Sequence, residues 1–187
     1  MRVIAGTARG RRLTAPAGRD TRPTGDRVKE ALFSSLGRLH GAVVLDLYAG
    51  SGALALEALS RGASLAVLVE QDAKALQAIA ANLGTTGLAD RASVVRGDAV
   101  RFCRAPSGGP FDLVLLDPPY DEPQEALYAR LEDLRAAGAL APDAYVAIER
   151  SVREPDPDPP GWLAREGART YGDTMLRYFR YRQEDDQ

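Results

Sequence analysis

Asp117-Pro118-Pro119-Tyr120 packs the most chemistry into the fewest residues of this sequence. Two successive prolines fix φ and remove two backbone donors. What remains is a stiff loop that presents carbonyl acceptors, the Asp117 carboxylate and the flat face of Tyr120. Such a set suits a planar group bearing an amine. The amine donates to Asp117 and to a carbonyl while the ring stacks on Tyr120. Bent in this way, the hydrogen bonds aim the nitrogen lone pair at a methyl donor. The plain alternative is a proline-rich exit loop after a strand, and the rest of the sequence argues against it.

Asp46-Leu47-Tyr48-Ala49-Gly50-Ser51-Gly52 follows one apolar run and opens a helix. Its glycines let the backbone turn tightly and approach a ligand closely. Glu70 ends the next apolar run, where a carboxylate can accept from both hydroxyls of a ribose. Asp98 follows a third run and can accept from an adenine amine. Turn acid or helix cap is an ordinary role for each of Asp46, Glu70 and Asp98. Their shared register at three successive strand ends favours one ligand rim. Gly50-x-Gly52-x-x-Ala55 with Glu70 also satisfies a permissive dinucleotide fingerprint. Asp46 weighs against that reading, because its charge would repel a pyrophosphate and would suit a cationic amine and a sulfonium. The residues therefore favour S-adenosylmethionine (AdoMet) over NAD.

These groups need a frame that brings strand ends together. Apolar runs of strand length lie at 43–47, 65–70, 92–95, 111–117 and 144–149. Helical spacing falls between them at 53–61, 73–83, 98–104 and 122–135. Strands alternating with helices predict an α/β fold whose parallel sheet is covered on both faces. Such sheets bind ligands beyond the carboxyl ends of their strands. Residues 163–181 lose the helical period, and Gly172-Asp173 between two strand-like runs predicts a closing antiparallel hairpin. Near the start, RVIAG and RRLTA flank TARG and predict a small hairpin. Thr24 is placed to cap a helix over 25–37, with Asp26 favoured in its first turn.

The charge is unevenly spread. Residues 1–38 hold nine basic and three acidic side chains, a balance of +6, while the remainder of the 187 residues carries −8. A basic arm (1–38) on an acidic body (39–187) suggests that the arm meets a polyanion. No stretch approaches the roughly 18 apolar residues of a membrane helix, and the N-terminus lacks the apolar segment of a secretory signal. Cys103 is the only cysteine, so neither an intrachain disulfide nor a metal site is expected. A monomeric cytoplasmic protein is the expectation. Glu149, at the end of the fifth predicted strand, is either solvated or part of the target pocket.

Together, the DLYAGSG loop, Glu70, Asp98 and DPPY resemble those of a class I AdoMet-dependent amino-methyltransferase. The sequence narrows further at its ends. Arg2-Val3-Ile4-Ala5-Gly6, Arg9-Gly10-Arg11, Pro16, the block Thr21-Arg22-Pro23-Thr24-Gly25-Asp26-Arg27-Val28-Lys29-Glu30-Ala31-Leu32-Phe33 and Tyr171-Gly172-Asp173-Thr174 are similar to the RsmD family of 16S rRNA guanine-N2 methyltransferases. The similarity runs through nearly the whole chain.

The resemblance implies a Rossmann-like class I methyltransferase: a mostly parallel seven-stranded sheet, a C-terminal antiparallel hairpin, and a small N-terminal hairpin and helix. It implies methylation at N2 of guanine 966 of 16S rRNA, within an assembled small-subunit particle. AdoMet would be held by Asp46, Tyr48, Ala49, Gly50, Gly52, Glu70, Gln71, Asp98, Ala99 and Asp117. Thr24 and Arg27 would close the pocket, Arg27 at the methionine carboxylate. Asp117, Pro118, Pro119 and Tyr120 would hold the target base, and Arg9, Arg11, Arg12, Arg19 and Arg22 the rRNA phosphates. Alternatives are a DNA adenine-N6 or protein glutamine-N5 enzyme and, more remotely, an NAD-binding domain or a non-catalytic RNA-binding module.

Overall fold

A computed structural model describes residues 1–16, 25–119 and 121–183. Thr24, Arg19, Arg22 and Tyr120 lie outside the described residues. The elements run α1 (Asp26–Ser35), β1 (Val43–Asp46), α2 (Ala53–Ser60), β2 (Leu65–Glu70), α3 (Ala73–Thr86), β3 (Ala92–Arg96), α4 (Ala99–Arg104), β4 (Phe111–Leu116), α5 (Gln124–Ala136), β5 (Leu140–Ser151), β6 (Leu163–Tyr171) and β7 (Thr174–Tyr181). A short 3₁₀ turn, Ala89–Arg91, leads into β3.

The sheet has seven strands in the order β3-β2-β1-β4-β5-β7-β6. Strands β1 to β5 are parallel, and β7 runs antiparallel to β5 and β6. The chain winds outward from β1 to β3, then returns to lay β4 on the other side of β1. This reversal opens a crevice between the carboxyl ends of β1 and β4, where open α/β sheets take their ligands. The fold is a Rossmann-like α/β sheet with the expected C-terminal antiparallel hairpin.

Alternation along the buried strands divides the core in two. Leu68, Leu113, Leu115 and Ala147 face α1, α2 and α3. Leu45, Val67, Val114, Leu116, Val146 and Ile148 face α4 and α5. Every residue of α2 is buried, including Glu57. That helix lies between the sheet and the N-terminal arm, whose Val3, Ala8 and Leu13 join the first core.

The arm hairpin is present and short: Arg2 bridges Arg12 antiparallel, Val3 N–H donates to the Arg11 carbonyl at 3.0 Å, Gly10 N–H to the Val3 carbonyl at 2.9 Å and Leu13 N–H to the Met1 carbonyl at 3.1 Å. Two other local expectations differ from the structure. Helix α1 spans Asp26–Ser35 rather than 25–37, with Gly25 in its N-cap position, while Thr24, expected to cap it, lies outside the described residues. The first helical bond is donated by Lys29 N–H to the Gly25 carbonyl at 3.0 Å, which sets the boundary there. Strand β5 starts four residues before the expected position, with Phe111 paired to Leu140 and Leu113 to Tyr145. The extra residues bulge out around Asp143, whose φ is +57°.

Candidate active site

The parallel strands end side by side, and four of the five endings bring a carboxylate to the same edge. Glu70 closes β2 and Asp46 closes β1, while Asp117 and Glu149 sit at or beyond the paired ends of β4 and β5. Register places them on one face. Asp46 pairs with Leu68 and with Leu115. Glu70 and Asp117 lie two residues further along those strands and so return to the same face. Glu149 follows Ile148, the register partner of Leu116, and therefore lies beside Asp117. Asp98 extends the rim past β3.

Asp46 is 1% exposed. Its Oδ2 accepts from Ala55 N–H at 3.2 Å, and its Oδ1 makes no close hydrogen bond among the described residues. Burial pushes its carboxyl up to about 7, the nearby Asp117 and Glu70 charges push the same way, and the Ala55 and Tyr48 amides oppose them. A desolvated carboxylate beside two others is costly in isolation. A ligand carrying positive charge would remove that cost.

The 46–52 loop is shaped for close approach. Gly50 has φ +54°, and a Cβ built there meets only the Tyr48 carbonyl, at 4.0 Å, so the space before it is open. Gly52 has φ +77° and is hemmed by Leu68 Cδ2, 3.0 Å from a built Cβ. Gly50 thus serves the ligand side and Gly52 the packing side. Glu70 Oε2 accepts from Gly50 N–H at 2.8 Å, and its Oε1 accepts from the Gln71 and Asp72 amides, both at 2.8 Å. Glu70 therefore holds the loop against β2, and Oε2 keeps a lone pair for a ligand hydroxyl. Asp98 caps α4, accepting from Arg101 N–H at 2.9 Å. Ala99 is buried behind it, and Gln71 is exposed. Tyr48 turns to the opposite face, packing on the second core with its hydroxyl beside Glu122.

Beyond β4, Asp117 is half-buried, Pro118 buried and Pro119 exposed. The Pro119 carbonyl accepts from Glu122 N–H at 3.1 Å, closing a tight turn within the loop. One of the carbonyls expected to meet a ligand is thus partly engaged inside the loop. Cys103 is buried, and burial pushes its thiol up to about 12, which removes it as a nucleophile.

A family model described as "Conserved hypothetical protein 95" matches residues 1–180. The "Ribosomal RNA small subunit methyltransferase D" of Escherichia coli is 37% identical over 180 residues, covering 96% of this chain and 89% of its own. The chain belongs to this family, the RsmD family. YlbH of Bacillus subtilis is 40% identical over 185 residues, 97% of this chain and 100% of that protein. The solved structure of Escherichia coli yhhF superposes with a TM-score of 0.83 at 36% identity, covering 98% of this chain and 99% of that one.

In this RsmD-family chain the arm is clamped to the body by polar residues that sequence reasoning passed over. Glu57, fully buried in α2, accepts from Ile4 N–H at 2.7 Å, Ala5 N–H at 3.0 Å and Arg61 Nε at 2.7 Å. Ser60 Oγ accepts from Ala8 N–H at 2.9 Å and donates to the Ala5 carbonyl. Asn82 of α3 exchanges two hydrogen bonds with the backbone of Thr14 and donates a third to the Ser51 carbonyl. Lys29, fully buried, donates to the Arg2 carbonyl, and burial lowers its pKa. One signal was available: Glu57 is the lone charge inside the apolar run Ala53–Leu59. Outward from these anchors, Arg9, Arg11, Arg12 and Arg27 are exposed.

Proposed function

We propose that this chain transfers a methyl group from AdoMet to the N2 amine of a guanine in small-subunit rRNA, the guanine 966 type. The observation that carries this reading is Asp46 beside Asp117 at the β1/β4 crevice: one buried and desolvated, the other opening an Asp-Pro-Pro loop. The relatives' printed rRNA activity supports the substrate class, and the exposed arm arginines supply phosphate contacts.

The site fits AdoMet on three counts. The open face of Gly50 admits a ligand against the backbone, the Glu70 Oε2 can accept a ribose hydroxyl, and the Asp46 charge suits a cation. AdoMet supplies an electrophilic methyl group on a sulfonium that leaves as a neutral thioether. Asp117 accepts from the guanine amine and orients its lone pair. As the N–C bond forms, nitrogen becomes cationic and sheds a proton to solvent, so no strong general base is required. Orientation and fixed charge then supply most of the rate. Residues 1–38 would act as the RNA-holding extension of a methyltransferase body (39–187), with a single chain as the active unit. The exposed Arg27 would meet either the cofactor's carboxylate or the RNA.

Asp117→Ala tests the assigned role. Methylation of small-subunit particles should fall by at least about a hundredfold, the scale for removing a group that acts in the transition state. AdoMet should still bind by calorimetry, since the loop, Glu70 and Asp46 are untouched. Turnover like that of the unaltered protein would refute the role.

A further inference from the structure

Asp117 and Glu149 are side by side because Leu116 pairs with Ile148 and each strand runs on by one residue. They line one shallow cleft together with Pro118, Arg150, Glu154 and Thr174. Arg150 is 5% exposed. Its Nη2 donates to the Glu122 carbonyl at 2.6 Å and pairs with Glu154, so its charge is already engaged behind the cleft. The cleft thus offers two adjacent carboxylates.

Among the common bases, guanine alone carries two adjacent donors on its Watson–Crick edge, the N2 amine and N1–H, followed by an acceptor, O6. Adenine and cytosine place a ring-nitrogen lone pair next to their amine. We propose that Glu149 selects the target base: its carboxylate accepts from guanine N1–H while Asp117 accepts from the N2 amine. An adenine or cytosine would set its ring lone pair against the Glu149 carboxylate, leaving a buried acceptor facing an acceptor, which strongly rejects a substrate. This inference rests on the guanine-N2 reading above.

The test uses small-subunit particles reconstituted with rRNA carrying either guanine or 2-aminopurine at the target position. 2-Aminopurine keeps the amine but presents a lone pair at N1. The full-length protein should prefer guanine by about tenfold or more in kcat/KM, the scale of a hydrogen bond to a charged group. Glu149→Gln, whose amide can donate to that lone pair, should lower kcat/KM on guanine by about tenfold or more. Its rate on 2-aminopurine should be unchanged or higher, so that the preference collapses. Glu149→Ala should lose the preference without gaining on 2-aminopurine. Unchanged AdoMet affinity in both variants reports that the fold is intact. If Glu149→Gln slows both substrates by the same factor, or leaves the ratio unchanged, Glu149 does not select the base. If the unaltered protein forms no N2-methylguanine at all, the functional reading fails and this inference with it.

Discussion

At the scale of single residues, Asp46 governs how the site behaves with pH. Its carboxyl titrates near 7 in the fold against an ordinary 3.8, so between those values the folded protein holds a proton that the unfolded chain has released. The contribution of Asp46 to the stability of the ligand-free protein therefore falls as pH rises from about 4 through about 7. A cationic ligand reverses the preference, because it binds the charged form of Asp46. AdoMet affinity should rise several-fold between pH 6 and pH 8, and calorimetry in buffers of different ionisation enthalpy should show proton release near pH 6.5. Affinity that is flat across this range would mean that Asp46 does not face the cofactor's charge. Gly6 is the second residue with a sharp consequence. It has φ +82°, and a Cβ there would lie 1.8 Å from the Ser60 carbonyl oxygen. Gly6→Ala should destabilise the protein by about 2–4 kcal/mol, combining backbone strain with a clash that α2 cannot relieve. A drop in melting temperature of less than about 3 °C would show that the arm does not depend on this contact.

At the scale of elements, what could be read from the sequence depended on how local its cause was. The DPPY loop and the 46–52 loop were legible because proline and glycine act on the backbone where they stand. Glu70 and Asp98 were legible as strand-end acids. Their backbone partners were not, since the Gly50 amide reaches Glu70 only after β2 has paired with β1. The arm was legible as a basic segment and illegible as a docked one. Glu57, Ser60 and Asn82 reach arm residues 52 to 68 positions away in the chain, a distance over which no periodicity carries information. The bulge in β5 escaped for a related reason: Pro142 reads as a strand breaker, and only pairing with β4 recruits the residues before it. The docked arm also yields a prediction. Because Glu57 and Asn82 hold its backbone, Arg11 and Arg12 form part of a preset surface rather than a loose tail. Charge reversal at both should weaken RNA binding and reduce the slope of log affinity against log salt by about 1–2, while melting temperature stays within about 2 °C. An unchanged slope would place the phosphate contacts elsewhere.

At the scale of the whole molecule, a net charge of −2 conceals a division between a basic arm and an acidic body. The sheet order explains the acidic part. Four neighbouring parallel strands deliver Glu70, Asp46, Asp117 and Glu149 to one edge, and the winding reversal between β1 and β4 opens the crevice that they line. The arm lies over α2, on the sheet face that also carries these acids. A polyanion held by the arm would therefore reach the crevice across a short span, with the carboxylates kept for a cation and for base amines. The most direct measurement of this account is to incubate the purified protein with labelled AdoMet and small-subunit particles from a strain lacking this activity. The modified nucleoside is then identified by mass spectrometry and its position mapped. The account predicts one N2-methylguanosine in the small-subunit rRNA and none when AdoMet is omitted. Label in N6-methyladenosine, or in protein rather than RNA, would contradict it.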